Sequence, residues 1–363
     1  MLTVIFTLDY EIHGDGSGCP HQLMVEPTSR MLQQFDRYGA KLTIMADIAE
    51  ILRFKDYFEK SGRDDFHSAA ILNQLRNAIR GGHDVQLHIH SSYFNATVQN
   101  GRWLQDWREY NFAGLPVERM NWMVRQCKEF LESILRPVNP TYRCFAFRAA
   151  NWSVSPSENV VPVLINNQIA IDTSVFKYGR RDGLVSFDYS TAHHPLLPWR
   201  ADPSDICRPH VDSRLWEFPI YAQRRWVGAF LTPHRIYRAM VGRFHRIADA
   251  PGGPKIKTRK RADRHWLLQK HAWKADFNQC SGRQLIRSLG VAEREIEKGR
   301  HGPFVLIGHS KLFTRWNERS LDPFLKFVAR RQSRCVFGTF ASYGRVADLA
   351  FCSENKGTDT AKA

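Results

Sequence analysis

Two pairs of potential metal ligands lie two residues apart near the ends of predicted strands. Asp9 and Glu11 come at the end of the apolar run that starts at Leu2, and His88 and His90 end the run DVQLHIH. Because alternate residues of a strand point to the same face, both carboxylates and both imidazoles can turn toward one site. Carboxylate oxygens and imidazole nitrogens together suit zinc or another borderline divalent cation. The spacing therefore predicts a site for metal-assisted hydrolysis.

Three more polar residues come at the ends of later predicted strands: Arg148 in FRAANW, Asp172 in IDTSV and His309 in LIGHS. Taken singly, each has an ordinary structural interpretation as a salt-bridge partner, a turn former or a satisfied polar group. Their repeated position at the same end of successive strands indicates one common site. There, an arginine and a third histidine would supply orientation and proton transfer.

The elements that must position these residues alternate along the chain, which is typical of parallel βα units. Strands are predicted at 2–9, 41–46, 84–90, 144–150, 170–176, 216–220, 304–310 and 334–340. Helices are predicted at about 27–39, 47–54, 65–80, 116–136, 156–167, 281–299 and 320–331. No glycine-rich phosphate loop follows the first strand, so a (β/α) barrel is favoured over an open doubly wound sheet. In such a barrel the functional side chains lie at the carboxyl ends of the strands.

The composition predicts one large folded unit. The chain has 363 residues, of which 43% are hydrophobic and 24% are charged, and this is close to average globular usage. We expect a barrel over residues 1–350 and a disordered polar tail at 353–363. The start of the sequence lacks the pattern of a signal peptide, and the seven cysteines are scattered. Both features predict a cytoplasmic protein.

Positive charge is concentrated in residues 221–280, which we predict to be an insertion on the barrel. This segment holds 14 Lys and Arg against 3 Asp and Glu, a surplus of 11 in a chain whose net charge is +16. Such a field favours an anionic partner, namely lipid headgroups, an acidic or phosphorylated glycan, or nucleic acid. The runs at 234–246 and 255–261 could dock on the inner face of a membrane. A solvated basic loop is the alternative.

A nucleic-acid-binding protein would use the same segment, with Trp226, Trp266 and Trp273 stacking on bases. No helix-turn-helix, zinc-finger or RNP pattern accompanies these tryptophans, and this function would leave the residues at the strand ends without a role. Nucleic acid is therefore the less favoured partner.

The order of the motifs TLDYE, GHDVQLHIH, FRAANW, IDTSV and LIGH resembles the polysaccharide deacetylase family, also known as the NodB-homology or carbohydrate esterase family 4 group. The resemblance spans about residues 2–340. It implies an α/β fold, an irregular (β/α)7 NodB-type barrel, here with a basic insertion. It also implies the metal-dependent removal of N- or O-acyl groups from sugars, most often with Zn²⁺.

The resemblance also assigns roles. It implies that Asp9 is the catalytic base, that Arg148 orients it, that Asp172 supports Arg148, and that His309 is the general acid. It implies three metal ligands, which are Glu11, His88 and His90. The predicted substrate contacts are Tyr93, Asn151 and Trp152.

Two positions depart from the family pattern. Tyr10 replaces the usual second aspartate, so Glu11 must take its role, and Ser92 stands where a histidine is usual, so His90 must take that one. These departures leave open a metal-independent C–N hydrolase of the same fold, or a glycan-binding barrel without activity. The favoured function is removal of an acetyl or formyl group from an amino sugar in a glycan or in a lipid- or nucleotide-linked precursor. We expect Asp9 and His309 on opposite sides of the acyl group.

Overall fold

The computed structural model describes residues 1–245, 250, 252–253, 269–296 and 300–346. The α-helices are α1 (Glu26–Asp36), α2 (Ile48–Ser61), α3 (Ser68–Arg80), α4 (Val117–Leu135), α5 (Ser157–Asn166), α6 (Pro233–Phe244), α7 (Gly282–Glu295), α8 (Arg315–Ala329) and α9 (Phe340–Val346). The strands are β1 (Leu2–Tyr10), β2 (Leu42–Asp47), β3 (Asp84–Ile89), β4 (Thr97–Gln99), β5 (Arg102–Leu104), β6 (Ala146–Ala149), β7 (Ile171–Asp172), β8 (Arg180–Arg181), β9 (Phe187–Asp188), β10 (Trp199–Arg200), β11 (Trp216–Glu217), β12 (Ala222–Arg225), β13 (His271–Lys274), β14 (Gly302–His309) and β15 (Cys335–Phe337).

Seven parallel strands form a ring. Strand β1 pairs with β2, and the order continues through β3, β6, β7 and β11. The chain beyond β11 then reaches β14 through a parallel bridge between Ile220 and Val305, and β14 returns to β1. The Tyr221 N–H donates to the Val305 carbonyl at 3.0 Å in the same place. The predicted α/β fold with a seven-stranded (β/α) barrel is thus confirmed.

Strand β1 is buried along its whole length. All nine of its residues are buried, because β2 and β14 flank it and helices cover it. Inside the core the Phe6 ring packs against Phe35 at 4.6 Å and against Phe277 at 5.7 Å between centroids. Tyr10 also points into the apolar interior, where its hydroxyl donates to Gln74 Oε1 at 2.8 Å. Asp9 and Glu11 flank Tyr10 in the sequence, so their side chains point to the opposite face from the Tyr10 ring.

Most predicted elements begin and end within a few residues of those in the structure, and the exceptions have local causes. Helix α8 starts at Arg315 rather than near 320, because Thr314 caps it by accepting from the Asn317 N–H at 3.3 Å. His83, interpreted as structural, accepts from the Leu42 N–H at 3.1 Å at the opposite end of the barrel from His88. Residues 177–215 carry the short strands β8, β9 and β10, which their composition did not predict.

The basic insertion leaves the barrel after Tyr221 and returns to it at Ala275. Strands β12 and β13 pair as an antiparallel ribbon, and α6 lies between them in sequence. The returning chain forms a second parallel bridge with β14, between Asp276 and Ile307. Both ends of the insertion are therefore hydrogen-bonded to β14. The basic run at 255–261, Trp266 and the tail at 353–363 lie outside the described residues.

No helix in the described part of the chain is both long enough and apolar enough to cross a bilayer.

Candidate active site

The carboxyl ends of β1, β3 and β14 meet around one pocket. Its walls include seven of the predicted site residues, namely Asp9, Glu11, His88, His90, Asn151, Trp152 and His309. The alternation of side chains along β1 and β3 therefore brings both predicted pairs to a common place.

Four side chains form a compact group of potential metal ligands. Glu11, Asp47, His88 and His90 each offer one atom, and these atoms all lie within 4.8 Å of one another. His90 Nδ1 lies 2.5 Å from Asp47 Oδ2, and Glu11 Oε2 lies 3.4 Å from His88 Nε2. Asp47 was not predicted. Asp47 is the last residue of β2 and the N-cap of α2. The sequence could have indicated it, because its carboxylate directly follows the apolar run KLTIMA, at the same end of the barrel as Asp9 and His88.

The tautomer of His88 suits metal binding. Its Nδ1 lies 2.8 Å from the Arg148 carbonyl oxygen, which can only accept a hydrogen bond, so Nδ1 carries the proton. Its Nε2 faces Glu11 Oε2. Burial lowers the pKa of His88, but the hydrogen bond to Glu11 and attraction by Asp9 outweigh it and raise the pKa overall. A cation bound there would take the place of the Nε2 proton. A histidine ligand characteristically donates its other N–H to a carbonyl or a carboxylate. The donor set and this orientation both fit a divalent cation such as zinc.

Lys311 stands beside the same group and was not predicted. Its Nζ lies 2.8 Å from Glu11 Oε1 and donates to the Ile12 carbonyl at 2.6 Å. Burial raises the pKa of Glu11, but attraction by Lys311 and by His90 outweighs it and leaves the pKa well below its usual value. Glu11 is therefore held as a carboxylate. Lys311 follows His309 by two residues, the same spacing that drew attention to the other pairs.

Asp9 is held by a buried guanidinium. Arg148 Nη1 donates to Asp9 Oδ1 at 2.7 Å, and both side chains are almost fully buried. Burial raises the pKa of Asp9, but attraction by Arg148, His309 and His88 overcomes this effect and lowers the pKa overall. The predicted orientation of Asp9 by Arg148 agrees with this geometry.

Asp172 does not support Arg148 directly, in contrast to the prediction. Arg148 Nε instead donates to the Thr173 carbonyl at 2.9 Å. The Asp172 carboxylate accepts from the Ser174 N–H at 2.9 Å and from the Ser174 hydroxyl at 2.8 Å. It thereby fixes the turn that carries Thr173. Arg148 Nη2 also donates to the Thr173 hydroxyl at 3.3 Å. The strand period explains this contact, because the side chains of Asp172 and Thr173 point to opposite sides.

His309 lies beside Asp9 rather than across the pocket from it. Strands β1 and β14 pair in register with Asp9 opposite His309, and His309 Nε2 is 3.5 Å from Asp9 Oδ2. Burial lowers the pKa of His309 to about 4, so the ring is neutral near pH 7. We expected Asp9 and His309 to lie on opposite sides of the acyl group. The register of β1 and β14 makes the two side chains neighbours instead. The backbone N–H of His309 donates to Asn278 Oδ1 at 2.5 Å, and this hydrogen bond fixes the end of β14.

One wall of the pocket is aromatic and polar. Trp152 packs edge-on against His309, with the ring centroids 6.0 Å apart, and Lys274 Nζ lies 3.3 Å from the Trp152 centroid. Burial lowers the pKa of Lys274 to about 7. Asn151 also lines the pocket, where its Oδ1 accepts from the Tyr110 hydroxyl at 3.1 Å. Trp152 and Asn151 thus both line the pocket.

Tyr93 does not line the pocket. Its ring is buried, and its centroid lies 6.4 Å from that of His90. The backbone turns into a short 3₁₀ helix at Ser91–Tyr93, and this turn carries Tyr93 away from the strand end. A direct contact between Tyr93 and a substrate, as predicted, does not fit this position.

Helix α6 of the insertion roofs the pocket. Arg238, Val241, Gly242 and His245 line it from above. His245 stacks on His13 with the ring centroids 3.7 Å apart, and its Nδ1 lies 3.1 Å from the Ser17 hydroxyl. Helix α6 was not predicted, although Thr232 followed by Pro233 is a typical helix start. The insertion therefore belongs to the site and not only to the surface.

Solved structures resemble this chain at low sequence identity. A protein classified as a polysaccharide deacetylase from Mycobacterium smegmatis is 11% identical with a TM-score of 0.48, over 96% of this chain and 90% of that chain. A 4-alpha-glucanotransferase from Thermococcus litoralis is 12% identical with a TM-score of 0.52, over 96% of this chain and 40% of that chain. A family 4 acetyl xylan esterase from Clostridium thermocellum, solved with a cobalt ion, is 11% identical with a TM-score of 0.41, over 96% of this chain and 93% of that chain.

No protein-family model matches the sequence, and no curated protein matches it. At such low identities the structural likeness concerns the fold alone. The arrangement of side chains in the pocket carries the functional argument.

Proposed function

We propose that this protein is a hydrolase that removes an N-acyl group, acetyl or formyl, from an amino sugar. The observation that carries the proposal is the position of Asp9. Its buried carboxylate lies between Arg148, at 2.7 Å, and His309, at 3.5 Å, on the edge of the four-residue ligand group. Hydrolysis of an amide requires a general base, a group that protonates the leaving nitrogen and, in many enzymes, a metal ion, and these groups are adjacent here.

The residues of the chain have distinct tasks in this reaction. Asp9 accepts a proton from the attacking water, whose oxygen bonds to the acyl carbon. Arg148 keeps Asp9 ionised and fixes its orientation. Glu11, Asp47, His88 and His90 would hold a divalent cation, most suitably zinc, which when bound supplies a Lewis acid for the acyl carbonyl.

The C–N bond breaks when the leaving nitrogen receives a proton, and the 3.5 Å gap between Asp9 and His309 gives that proton a short route. His309 Nε2 takes it from Asp9 and passes it to the amine. Because the two groups are neighbours, the acyl group must lie over both of them. The products are a carboxylic acid and a free amino sugar.

A sugar is the proposed substrate because of the aromatic wall. Trp152 can pack against the apolar face of a sugar ring. The Nδ2 group of Asn151 and the indole N–H of Trp152 are buried and have no protein partner among the described residues. They are therefore suited to donate hydrogen bonds to sugar hydroxyls or to the acyl oxygen.

Metal-independent hydrolysis of a C–N bond is the second candidate, and Lys311 favours it. The Lys311 ammonium already neutralises Glu11 from 2.8 Å, which weakens the attraction of the site for a cation. In this case Lys311 itself would be the positive charge that faces the developing oxyanion.

One experiment distinguishes the two candidates. Purified protein is subjected to elemental analysis and then assayed for acetate or formate release from a panel of N-acyl amino sugars that are free, nucleotide-linked and lipid-linked. Release that ends with chelation and returns with Zn²⁺ supports the metal-dependent hydrolase. Full release by metal-free protein supports the second candidate, and no release from any member of the panel contradicts both.

A further inference from the structure

Helix α6 and its flanks expose an unusual amount of apolar surface. Six of the thirteen large apolar residues that are exposed in the described part of the chain lie within residues 226–244. They are Trp226, Leu231, Ile236, Tyr237, Met240 and Phe244. Clustered exposure of this kind marks an interaction surface, whereas single exposed apolar residues do not.

The helix has two opposite faces. His234, Arg238, Val241 and His245 recur at helical spacing and face the protein, where His234 stacks on Trp316 with the ring centroids 4.1 Å apart. Ile236, Met240 and Phe244 recur every four residues on the other side, with 57%, 54% and 79% of their surfaces exposed. The inner face is therefore anchored, while the outer face is apolar and open to a partner.

Charge selects the kind of partner. Residues 222–245 contain five arginines and no acidic residue. Arg243 is exposed on α6 beside the apolar face, and Arg224 is exposed on the neighbouring strand β12. A second copy of the chain would bring like charges together across a two-fold interface, which is unfavourable. An anionic lipid surface satisfies both the arginines and the apolar side chains.

Nucleic acid fits this surface less well. Aliphatic side chains such as Ile236 and Met240 offer no stacking plane to bases. Of the tryptophans considered for stacking, Trp273 is buried under Arg225 with 5.2 Å between the guanidinium carbon and the ring centroid. Trp226 is exposed, and Trp266 lies outside the described residues.

We propose that α6 docks on an anionic membrane through Ile236, Met240 and Phe244, and that it thereby holds the pocket at the bilayer surface. The same helix contributes Arg238 and Val241 to the pocket wall, so docking and substrate access are linked. The substrate class that follows is an N-acyl amino sugar attached to a membrane lipid through phosphate. This last step rests on the proposed hydrolase function, but the docking itself does not.

Vesicle co-sedimentation of the full chain tests the docking. We expect binding to vesicles of roughly equal parts phosphatidylglycerol and phosphatidylcholine, and little binding to phosphatidylcholine alone. The double variant Met240→Gln/Phe244→Gln should bind about tenfold more weakly or worse, because two apolar anchors are lost. Arg243→Gln should weaken binding about fivefold.

The matched control is Leu184→Gln/Val211→Gln, which removes an exposed apolar pair elsewhere and should bind as the wild type does. Because all these side chains are exposed, thermal unfolding of the variants should remain close to that of the wild type. Equal binding to both vesicle types, or unchanged binding by Met240→Gln/Phe244→Gln, would overturn the proposal. A dimer that this variant dissociates, without vesicle binding, would also overturn it and identify a self-association surface.

The failure of docking can be told apart from the failure of the hydrolase proposal. Asp9→Asn should bind anionic vesicles as tightly as the wild type, since Asp9 is buried in the pocket. Docking without acyl release from any substrate would contradict the hydrolase proposal alone. Hydrolysis of soluble substrates without vesicle binding would contradict the docking alone.

Discussion

Glu11 divides its two carboxylate oxygens between Lys311 and the histidines. Oε1 lies 2.8 Å from Lys311 Nζ, while Oε2 lies 3.2 Å from His90 Nδ1 and 3.4 Å from His88 Nε2. A cation bound on the Oε2 side would therefore share Glu11 with the lysine. The affinity of this site for metal depends on how strongly that ammonium competes.

Lys311→Met should raise the affinity for Zn²⁺ or Co²⁺ on the order of tenfold, because a positive charge is removed from beside the ligand group. Isothermal titration calorimetry of chelator-treated protein measures the change. Lys55→Met, on the exposed surface of α2, is the control and should leave the affinity unchanged. Weaker metal binding by Lys311→Met would mean that the lysine positions Glu11 for the metal instead of competing with it.

Asp47→Asn should lower the metal affinity by about 10- to 100-fold, because a charged ligand or ligand partner is lost. The helix cap should survive, since Asn is as good an N-cap residue as Asp. Asp64→Asn is a matched control, because Asp64 accepts from the Ser68 N–H at the start of α3, far from the ligand group. If both variants bind metal as the wild type does, Asp47 only orients His90 and caps α2.

Asp9→Asn and His309→Ala should each reduce the turnover of an N-acyl sugar by roughly 10²- to 10⁴-fold, the usual effect of removing a general base or acid. Steady-state kinetics of acyl release measure this. Glu59→Gln, in an exposed ion pair with Lys55, should keep full activity. The proposed mechanism places Asp9 and His309 in one proton route, so the double variant should be hardly slower than the worse single variant. Multiplicative losses would argue for independent roles.

Asp84→Asn should stabilise the protein at neutral pH. Burial raises the pKa of Asp84 to about 6, although Val85 and Gln86 donate hydrogen bonds to its Oδ1. Asn keeps that acceptor and cannot ionise. Since the folded pKa lies above the unfolded value of about 3.9, wild-type stability falls as the pH rises between these values.

The difference in unfolding free energy between Asp84→Asn and the wild type should therefore grow from about pH 4 to about pH 6. It should reach about 3 kcal/mol in favour of the variant, because two pKa units correspond to that free energy, and then stay level. Urea denaturation at a series of pH values measures this difference. A difference that does not change over this range would contradict the raised pKa.

The barrel and the convergence of its strand ends could be predicted because their signals are local. A buried parallel strand is an apolar run, and its last polar residues mark the functional end, as with Asp9 and His88. Asp47 was missed because the strand before it was predicted to end one residue early. The neighbourhood of His309 and Asp9 follows from the register of β1 and β14, whose residues are 300 positions apart in sequence.

The hydrogen-bond partner of Arg148 and the role of α6 could not be predicted, because both depend on tertiary structure. Thr173 and Asp172 are adjacent, and only the exact phase of the short strand β7 decides which of the two side chains contacts the guanidinium. Helix α6 has an ordinary start signal, but its apolar residues suggest a core helix until their exposure is known. Composition predicted an anionic partner for this region, whereas the pocket wall that it forms depends on tertiary folding.

Both ends of the insertion are fastened to β14, one at Val305 and the other at Ile307, four residues or fewer before His309. Because both ends are fixed, the insertion can change in length or composition without disturbing the seven-stranded barrel. A different insertion could be exchanged for this one and so change which molecules are admitted, while the side chains of the strand ends stay in place. The attachment makes the insertion a natural module for chimaeras built on one barrel.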